Sequence, residues 1–435
     1  MRRALIQHCL VLMILALSGT AWASMVTVLR GESATGKDLS SLSAKDIVVL
    51  TFGDEKVVIH DRPLQLSGET TIHRDVSRGK LFLIRDHRAV ANRKGYEVLY
   101  SHSGFHLAVV EKPQELAGIA RLSVKPVTRS RVVVEKAYIP EAAPDPVIEA
   151  ILSRLDASSY KGFLSSLSQD IPTRYLCAQE ILDARDIIKE HFESLGLETY
   201  VMNFSASCWP KRCDAPQGYN VIGIKRGWLR PNRFCLVGAH YDSINENAPC
   251  GNAPGANDNA SGAAGIMELA RVFSQVDTEI SMVFVAFGGE EQGILGSKAL
   301  VRSMLSTKPF ANLRASNLKS FVVLDMIAFY KKQYGVIVEG ASSNTKQIAA
   351  VNTLVRLGRT YTALEMEKSY DYYGSDHEPF LDKGLAGALL IETDWDNYLY
   401  YHTQWDRMEY QKIPFAMQVL RLTGAMLATG AAASL

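Results

Sequence analysis

From residue 178 onward the chain alternates between two hydrophobic periods, and this alternation constrains its fold more than any other feature. "AQEILDARDIIKEHFESLG" (178–196) spaces its apolar residues along one face of a helix and ends on Gly196, suited to a helix C-cap. Apolar runs then follow, "FCLVGAH", "SMVFVAF", "FVVLDM" and "GALLIE", interleaved with the helical segments "SGAAGIMELARVF", "GSKALVRSML" and "TKQIAAVNTLVRLG" and a last helix from about Pro414. Strands apolar on both faces must be covered on both faces. The expected fold is therefore α/β, a mostly parallel central sheet flanked by helices.

The region before this is written differently. Between Ser24 and Tyr138, "DIVVLTFG", "KVVIHD", "KLFLIRD", "YEVLYSHSGFHLAVVE" and "SRVVVEKAY" are short β-branched runs separated by polar or glycine-containing turns, which predicts a small β-rich N-terminal domain over 24–138. Its histidines His60, His73, His87, His102 and His106 show no ligand spacing with an acid and are read as strand-face residues without chemistry. "IPEAAPDP" (139–146), with three prolines, is a linker, and 147–435 is the second domain. The N-terminal region is left open between a propeptide and an accessory domain.

Arg2 and Arg3, an apolar run to about Leu17, and Ala21-Trp22-Ala23 read as a signal peptide, residues 1–23, cleaved after Ala23; the destination is secreted or periplasmic. Cys9 leaves with it, and Cys177, Cys208, Cys213, Cys235 and Cys250 remain in a compartment that permits disulfides. Cys208 and Cys213 flank "WPKR" and can close a short ring, Cys235 in an apolar strand reads as a buried free thiol, and a Cys177–Cys250 pair is left open. The 47 basic and 46 acidic residues nearly cancel, which argues against nucleic acid or an anionic membrane as partner. No stable membrane span is expected in the mature chain, since Arg421 interrupts the last helix.

The charged residues of the second region gather where strands end: "FCLVGAH" runs to His240 and Asp242, "SMVFVAFGG" to Glu290 and Glu291, "FVVLD" to Asp325, and "GALLIE" leads through a loop to His402. In an open parallel sheet the carboxyl ends of the strands line one edge, where ligands bind. Several carboxylates cannot be desolvated together without a compensating cation. Imidazoles and carboxylates without cysteine favour zinc, with manganese or cobalt as the other ions that suit such a set. No Gly-x-Ser-x-Gly elbow supports a serine hydrolase.

"GAHYDS", "PGANDNASG", "GGEEQGILGS", "LDMIAFY", "GSDHEPF" and "DNYLYYHTQWD", in this order, resemble the M28 family of zinc peptidases, especially its di-zinc, leucyl aminopeptidase-like members. The resemblance runs from about Pro144 to the C-terminus. It implies two zinc ions bridged by Asp258, with His240 and Asp325 completing one site and Glu291 and His402 the other. Asp242 is implied to orient His240 by accepting from its second ring nitrogen. Glu290 is implied as the general base, and Tyr372, with Tyr373 as competitor, as a donor to the developing oxyanion. Ser375 is read as a local hydrogen-bonding residue, Asp376 as a support to the ligands and His377 as structural.

The implied function is a secreted zinc-dependent aminopeptidase acting on peptides with a free N-terminus. A glutaminyl cyclase, which closes an N-terminal glutamine on itself, is the alternative on the same fold. A metal-free binding ectodomain is disfavoured because Glu290 and all five proposed ligands are present, and a carboxypeptidase is a minor further alternative.

Overall fold

The computed structural model describes residues 23–29, 47–60, 70–86, 95–116, 119, 122–128, 131–136, 143–206, 208, 217–431 and 433–434. The proposed signal peptide up to Trp22 and residues 139–142 of the proline-rich linker lie outside them. The chain divides into two compact units, the first comprising Met1–Ile84, Gly95–Ala117 and Val124–Val133, the second Arg85–Lys94, Gly118–Ser123 and Val134–Leu435.

In the first unit β1 (Ala23–Leu29) lies between β3 (Glu55–His60) and β4 (Thr70–Ser77), and β2 (Ile47–Phe52) pairs with β3, all antiparallel. A second, four-stranded sheet has the order β6-β7-β5-β8, from Glu97–His102, Phe105–Val109, Leu81–Asp86 and Leu122–Pro126. Val26, Val28, Val57, Val58, Phe105 and Leu107 are buried, as the β-branched runs require. His60 is hydrogen-bonded to Thr27 Oγ1 (2.8 Å) and His106 Nδ1 to Ser101 Oγ (2.8 Å). His87 lies outside the described residues.

The second unit begins, after β9 (Arg131–Lys136), with helix α1 (Pro146–Leu152), where Pro146 occupies the first turn and the Asp145 carboxylate caps Val147 and Ile148. Helices α2 (Ala157–Ser168) and α3 (Ile181–Ser194) follow. The sheet is built from β10 (Glu198–Ser205), β11 (Gln217–Lys225), β12 (Arg230–His240), β14 (Ile280–Phe287), β15 (Leu318–Leu324), β16 (Gly335–Glu339), β17 (Glu365–Ser369) and β18 (Gly387–Glu392). Two-residue β13 (Asp277–Thr278) pairs apart from it with Ala433–Ser434. The spatial order is β10-β11-β14-β12-β15-β18-β16-β17. Its centre, β14-β12-β15-β18, is parallel, whereas β10, β11 and β16 run against their neighbours towards the centre.

Both faces are covered by α4 (Ser261–Phe273), α5 (Leu295–Met304), α6 (Thr345–Tyr361) and α7 (Ile413–Ala431) together with α1 to α3. All eight residues of β14 are buried: Met282, Phe284 and Ala286 enter one core, Val283, Val285 and Phe287 the other. A strand with two buried faces reads as a continuous apolar run, which is why it was legible as such. Each fully buried side chain of this size contributes about 1.5–3 kcal/mol relative to exposure.

Register sets the functional edge. Gly238 of β12 pairs with Val323 of β15, so His240 and Asp325, each two residues further on, are level and point to the same face. Ala239 pairs with Ala286, which brings the Glu290 loop to the same end.

The cysteines correct one expectation. Cys208 is bonded to Cys177, with Cα atoms 5.7 Å apart, and not to Cys213. Cys250 is also disulfide-bonded, and Cys235 is a buried free thiol as expected. Closeness in sequence misled here, because the segment before α3 folds back onto the end of β10. The Cys177–Cys208 bridge spans 31 positions. Replacing both cysteines by serine is expected to lower stability by about 2–4 kcal/mol, measured by chemical denaturation, whereas an unchanged midpoint would show the bridge to be energetically idle.

Candidate metal centre

The residues singled out from strand ends converge. His240 Nε2 lies 3.3 Å from Asp325 Oδ1 and 3.3 Å from Asp258 Oδ1. His402 Nε2 lies 3.0 Å from Asp258 Oδ2 and 3.2 Å from Glu291 Oε2. One donor atom from each of His240, Asp258 and Glu291 falls within 4.8 Å of the others. All five residues are buried. Asp258 therefore presents one oxygen to each imidazole, and the five groups divide into two overlapping sets.

Local structure explains how Asp258 reaches this position. The stretch Ala256–Ala260 does not simply continue into α4: Asp258 (φ −112°, ψ 93°) and Asn259 (φ −135°, ψ 46°) leave helical geometry, and the peptide between them is cis. Asn259 Oδ1 accepts from the backbone of Gly262 (2.8 Å), in the manner of an N-cap, while its Nδ2 donates to Leu324 O (2.8 Å) and ties the turn to β15. Gly255 opens the turn at φ +50°, and a Cβ there would lie 2.4 Å from Asp258 O, so only glycine fits. Two further residues at the edge, Met326 (φ 49°) and His402 (φ 55°), adopt the left-handed region that non-glycine residues rarely occupy. The backbone N–H of Met326 donates to Asn259 Oδ1 (3.3 Å), and the carbonyl of His402 accepts from Glu246 N (3.2 Å).

Several holding groups lie outside the residues given a role from the sequence. Asp406 accepts from the backbone N–H of Asn257 (2.8 Å) and of Asp258 (2.9 Å) and from the Tyr398 hydroxyl (2.6 Å). Burial pushes its carboxyl up to about 7 against these hydrogen bonds. Glu246 accepts from His402 Nδ1 (2.9 Å), a contact that sets the ring so that Nε2 faces the carboxylates. Arg174, fully buried, donates to the carbonyls of Leu167 (2.8 Å), Tyr241 (2.7 Å), Pro254 and Gly255 (2.9 Å), clamping both chains that flank the edge. Desolvation pulls its guanidinium down to about 10, opposed by Asp406, Asp242 and Asp258. Asp406 sits in the quoted "DNYLYYHTQWD" and was findable as an acid near a histidine; nothing around Arg174 in "IPTRYLC" marks it.

Other readings need adjusting. Asp242 Oδ1 is 3.6 Å from His240 Nδ1, beyond a hydrogen bond, and that nitrogen lies 3.2 Å from Asp242's own carbonyl. The Asp242 carboxylate instead accepts from the backbone N–H groups of Glu290 (3.2 Å) and Glu291 (3.1 Å). Ser375 Oγ donates to Asp325 Oδ2 (2.7 Å), and His377 Nε2 pairs with Glu339 (3.1 Å). Asp376 is fully buried, and desolvation raises its carboxyl to about 7. Tyr372 is engaged elsewhere: its hydroxyl donates to Asp382 (2.9 Å), and desolvation with that carboxylate pushes the phenol up to about 12. Glu290 is buried beside Glu291.

Electrostatics identify the kind of ion that suits the centre. Burial disfavours a charged His240, but Asp325, Asp242 and Asp258 outweigh it and hold the imidazole well above its ordinary range. Burial likewise works against an ionised Asp258, yet His240 and His402 hold its carboxyl well below the usual range. Acceptor-only carboxylates interleaved with imidazoles fit a divalent ion of zinc's type, for which both residue types are ordinary ligands.

The open α/β sheet is similar to that of solved zinc aminopeptidases. Residues 220–424 match the model of peptidase family M28. A probable zinc metalloprotease of Pyrenophora tritici-repentis is 31% identical over 208 residues, 40% of this chain and 46% of the relative. The chain thus spans about half that relative's length. Leucine aminopeptidase 1 of Paracoccidioides brasiliensis is 25% identical over 321 residues, 67% of this chain and 78% of the relative. The structure of BSAP, a zinc aminopeptidase from Bacillus subtilis, shares the fold with a TM-score of 0.53 at 19% identity, covering 64% of this chain and 96% of that one. These similarities support zinc and do not favour the glutaminyl cyclase alternative.

Two tests follow from the geometry. Arg174→Met removes the donors of four buried carbonyl contacts and is expected to cost about 3 kcal/mol or more, read by denaturant unfolding; a loss under 1 kcal/mol would remove the clamp role. In metal-free protein the neighbouring carboxylates raise the His240 pKa, and the ring's charge stabilises the fold fully below about pH 6.5, its unfolded value. The contribution is lost as pH rises through the higher folded pKa. Adding zinc at pH 7 should therefore release protons, detected with an indicator dye, and zinc affinity should weaken as pH falls.

Proposed function

We propose that this protein is a secreted zinc-dependent aminopeptidase that removes residues one at a time from the N-terminus of peptides. The observation carrying this reading is Asp258, whose two oxygens face His240 and His402 separately. His240, Asp325 and Asp258 would hold one zinc ion, and His402, Glu291 and Asp258 the second. Zinc held by these residues would supply acidification of a water and polarisation of the scissile carbonyl. Glu290 would take the proton from the attacking water and pass it to the leaving amine. Its neighbour Asp242 holds the Glu290 backbone in place. Tyr372 could donate to the developing oxyanion only after its hydroxyl leaves Asp382.

Export is supported by the Cys177–Cys208 disulfide, which suits an oxidising compartment. Among the described residues no helix is long and apolar enough to cross a membrane. The division into a signal peptide (1–23), a β-rich domain (24–138), a linker (139–146) and a catalytic domain (147–435) belongs to the same proposal.

Mass spectrometry of a peptide beginning Gln-Leu, incubated with the zinc-loaded protein, tests the reaction. Stepwise N-terminal shortening is expected, with Glu290→Ala slower by about 10²–10⁴-fold. Loss of ammonia from an otherwise intact peptide would overturn the aminopeptidase in favour of the cyclase.

A further inference from the structure

Arg85 stands far ahead of the linker in the chain, yet it belongs to the second unit. It is 3% exposed, and its Nη1 donates to one carboxylate oxygen of Glu339, the wholly buried last residue of β16. The same nitrogen donates to the carbonyl of Asp371 (3.3 Å). The guanidinium carbon lies 5.8 Å from the ring centroid of buried Trp395, within reach of a cation–π contact. The reaction proposed above makes no use of this arginine.

Glu339 carries this anchor towards the metal centre. Its other carboxylate oxygen accepts from the backbone N–H of Tyr373 (2.9 Å) and from His377 Nε2 (3.1 Å). Burial works against an ionised Glu339, but Arg85 and His377 hold its carboxyl below the usual range and keep it an acceptor. The segment 371–377 is thereby fixed at three points: the Asp371 carbonyl by Arg85, and the Tyr373 N–H and the His377 ring by Glu339. Between the last two, Ser375 Oγ donates to Asp325 Oδ2 (2.7 Å), and Asp325 Oδ1 lies 3.3 Å from His240 Nε2. Each group on this route is bonded, covalently or by a hydrogen bond, to the next.

We propose that Arg85 is a positioning residue of the metal centre: with Glu339 it fixes the segment 371–377, and so the Ser375 hydroxyl that orients Asp325. A buried carboxylate holds backbone in this way only while its counter-charge is present. Without Arg85, Glu339 takes up a proton and loses acceptor capacity, or shifts towards water and draws the segment with it. A consequence follows for the organisation of the chain. Residues 147–435, assigned above to catalysis, do not contain every group the centre needs, because Arg85 lies before the linker. The inference rests on the reading of Asp325 as a zinc ligand.

The test is competition for zinc between the full-length protein and a chromophoric chelator, with folding followed by circular dichroism. Arg85→Met is expected to weaken zinc binding about tenfold or more, as for other groups that orient a metal ligand. Arg85→Lys, which keeps the cation, should recover most of that loss. Because Arg85 acts through Ser375, Arg85→Met should add no further loss of zinc affinity to that of Ser375→Ala. An ion pair that served stability alone would lower the melting temperature and leave zinc affinity unchanged; that result, or losses that multiply in the double variant, would overturn the proposal. If Arg85→Met does not fold, Arg85→Gln, a neutral side chain that still offers Glu339 a donor, carries the same comparison. Zinc affinity that depends on Arg85 in a protein that hydrolyses no peptide would sink the aminopeptidase and keep the positioning role; hydrolysis with zinc affinity indifferent to Arg85 would do the reverse.

Discussion

Carboxylates crowded into a buried edge are the constraint on which the rest of the second unit depends. Asp258, Glu291 and Asp325 are ionisable groups withdrawn from water within a few ångströms of one another, with only imidazoles between them. Left without a cation, such an arrangement opposes folding. The surrounding structure is accordingly devoted to holding backbone in place: Asn259 ties the turn to β15, Asp406 holds two consecutive N–H groups, and Arg174 gathers four carbonyls. Each of these contacts is between a buried side chain and main chain, the kind that fixes position most firmly because the chain cannot rotate away.

The sheet makes the arrangement reachable. Parallel strands end on one edge, and with β12 and β15 in register His240 and Asp325 arrive together without any loop having to carry them. His402 lacks that advantage. It comes from a loop after β18, and its left-handed backbone and its bond to Glu246 compensate for the missing strand. The centre thus combines residues placed by register with residues placed by hydrogen bonds, and only the first kind inherits its precision from the fold.

This difference decides what could be read from the sequence. Strand order in the chain and the apolar runs disclosed the α/β class, and ligand-type residues at strand ends disclosed His240, Glu291 and Asp325, because period and position are local properties. The antiparallel edges β10, β11 and β16 were not separable from the parallel centre, since direction is not written in a short apolar run. The bond of Cys208 to Cys177 was missed because it depends on how α3 packs, and 31 positions of chain hide that. Glu246, Asp406 and Arg174 escape the sequence for the same reason: Asp406 and Arg174 act on backbone far away in sequence and Glu246 on the distant His402 ring, and an acid or arginine in a loop looks like any other. Tyr372 shows the converse, a residue in a suggestive motif whose hydroxyl the structure commits to Asp382.

The two oxygens of Asp242 accept from consecutive peptide N–H groups, those of Glu290 and Glu291. Because the two glutamates are adjacent in sequence, their Cα atoms stand one trans peptide unit apart, about 3.8 Å, while their carboxylates are placed by side-chain torsions. Breathing of the sheet or of the helices over it can carry the pair as a body without changing that Cα spacing. The division of labour between the two carboxylates is set by the direction in which each side chain leaves a backbone segment that Asp242 holds at two consecutive N–H groups.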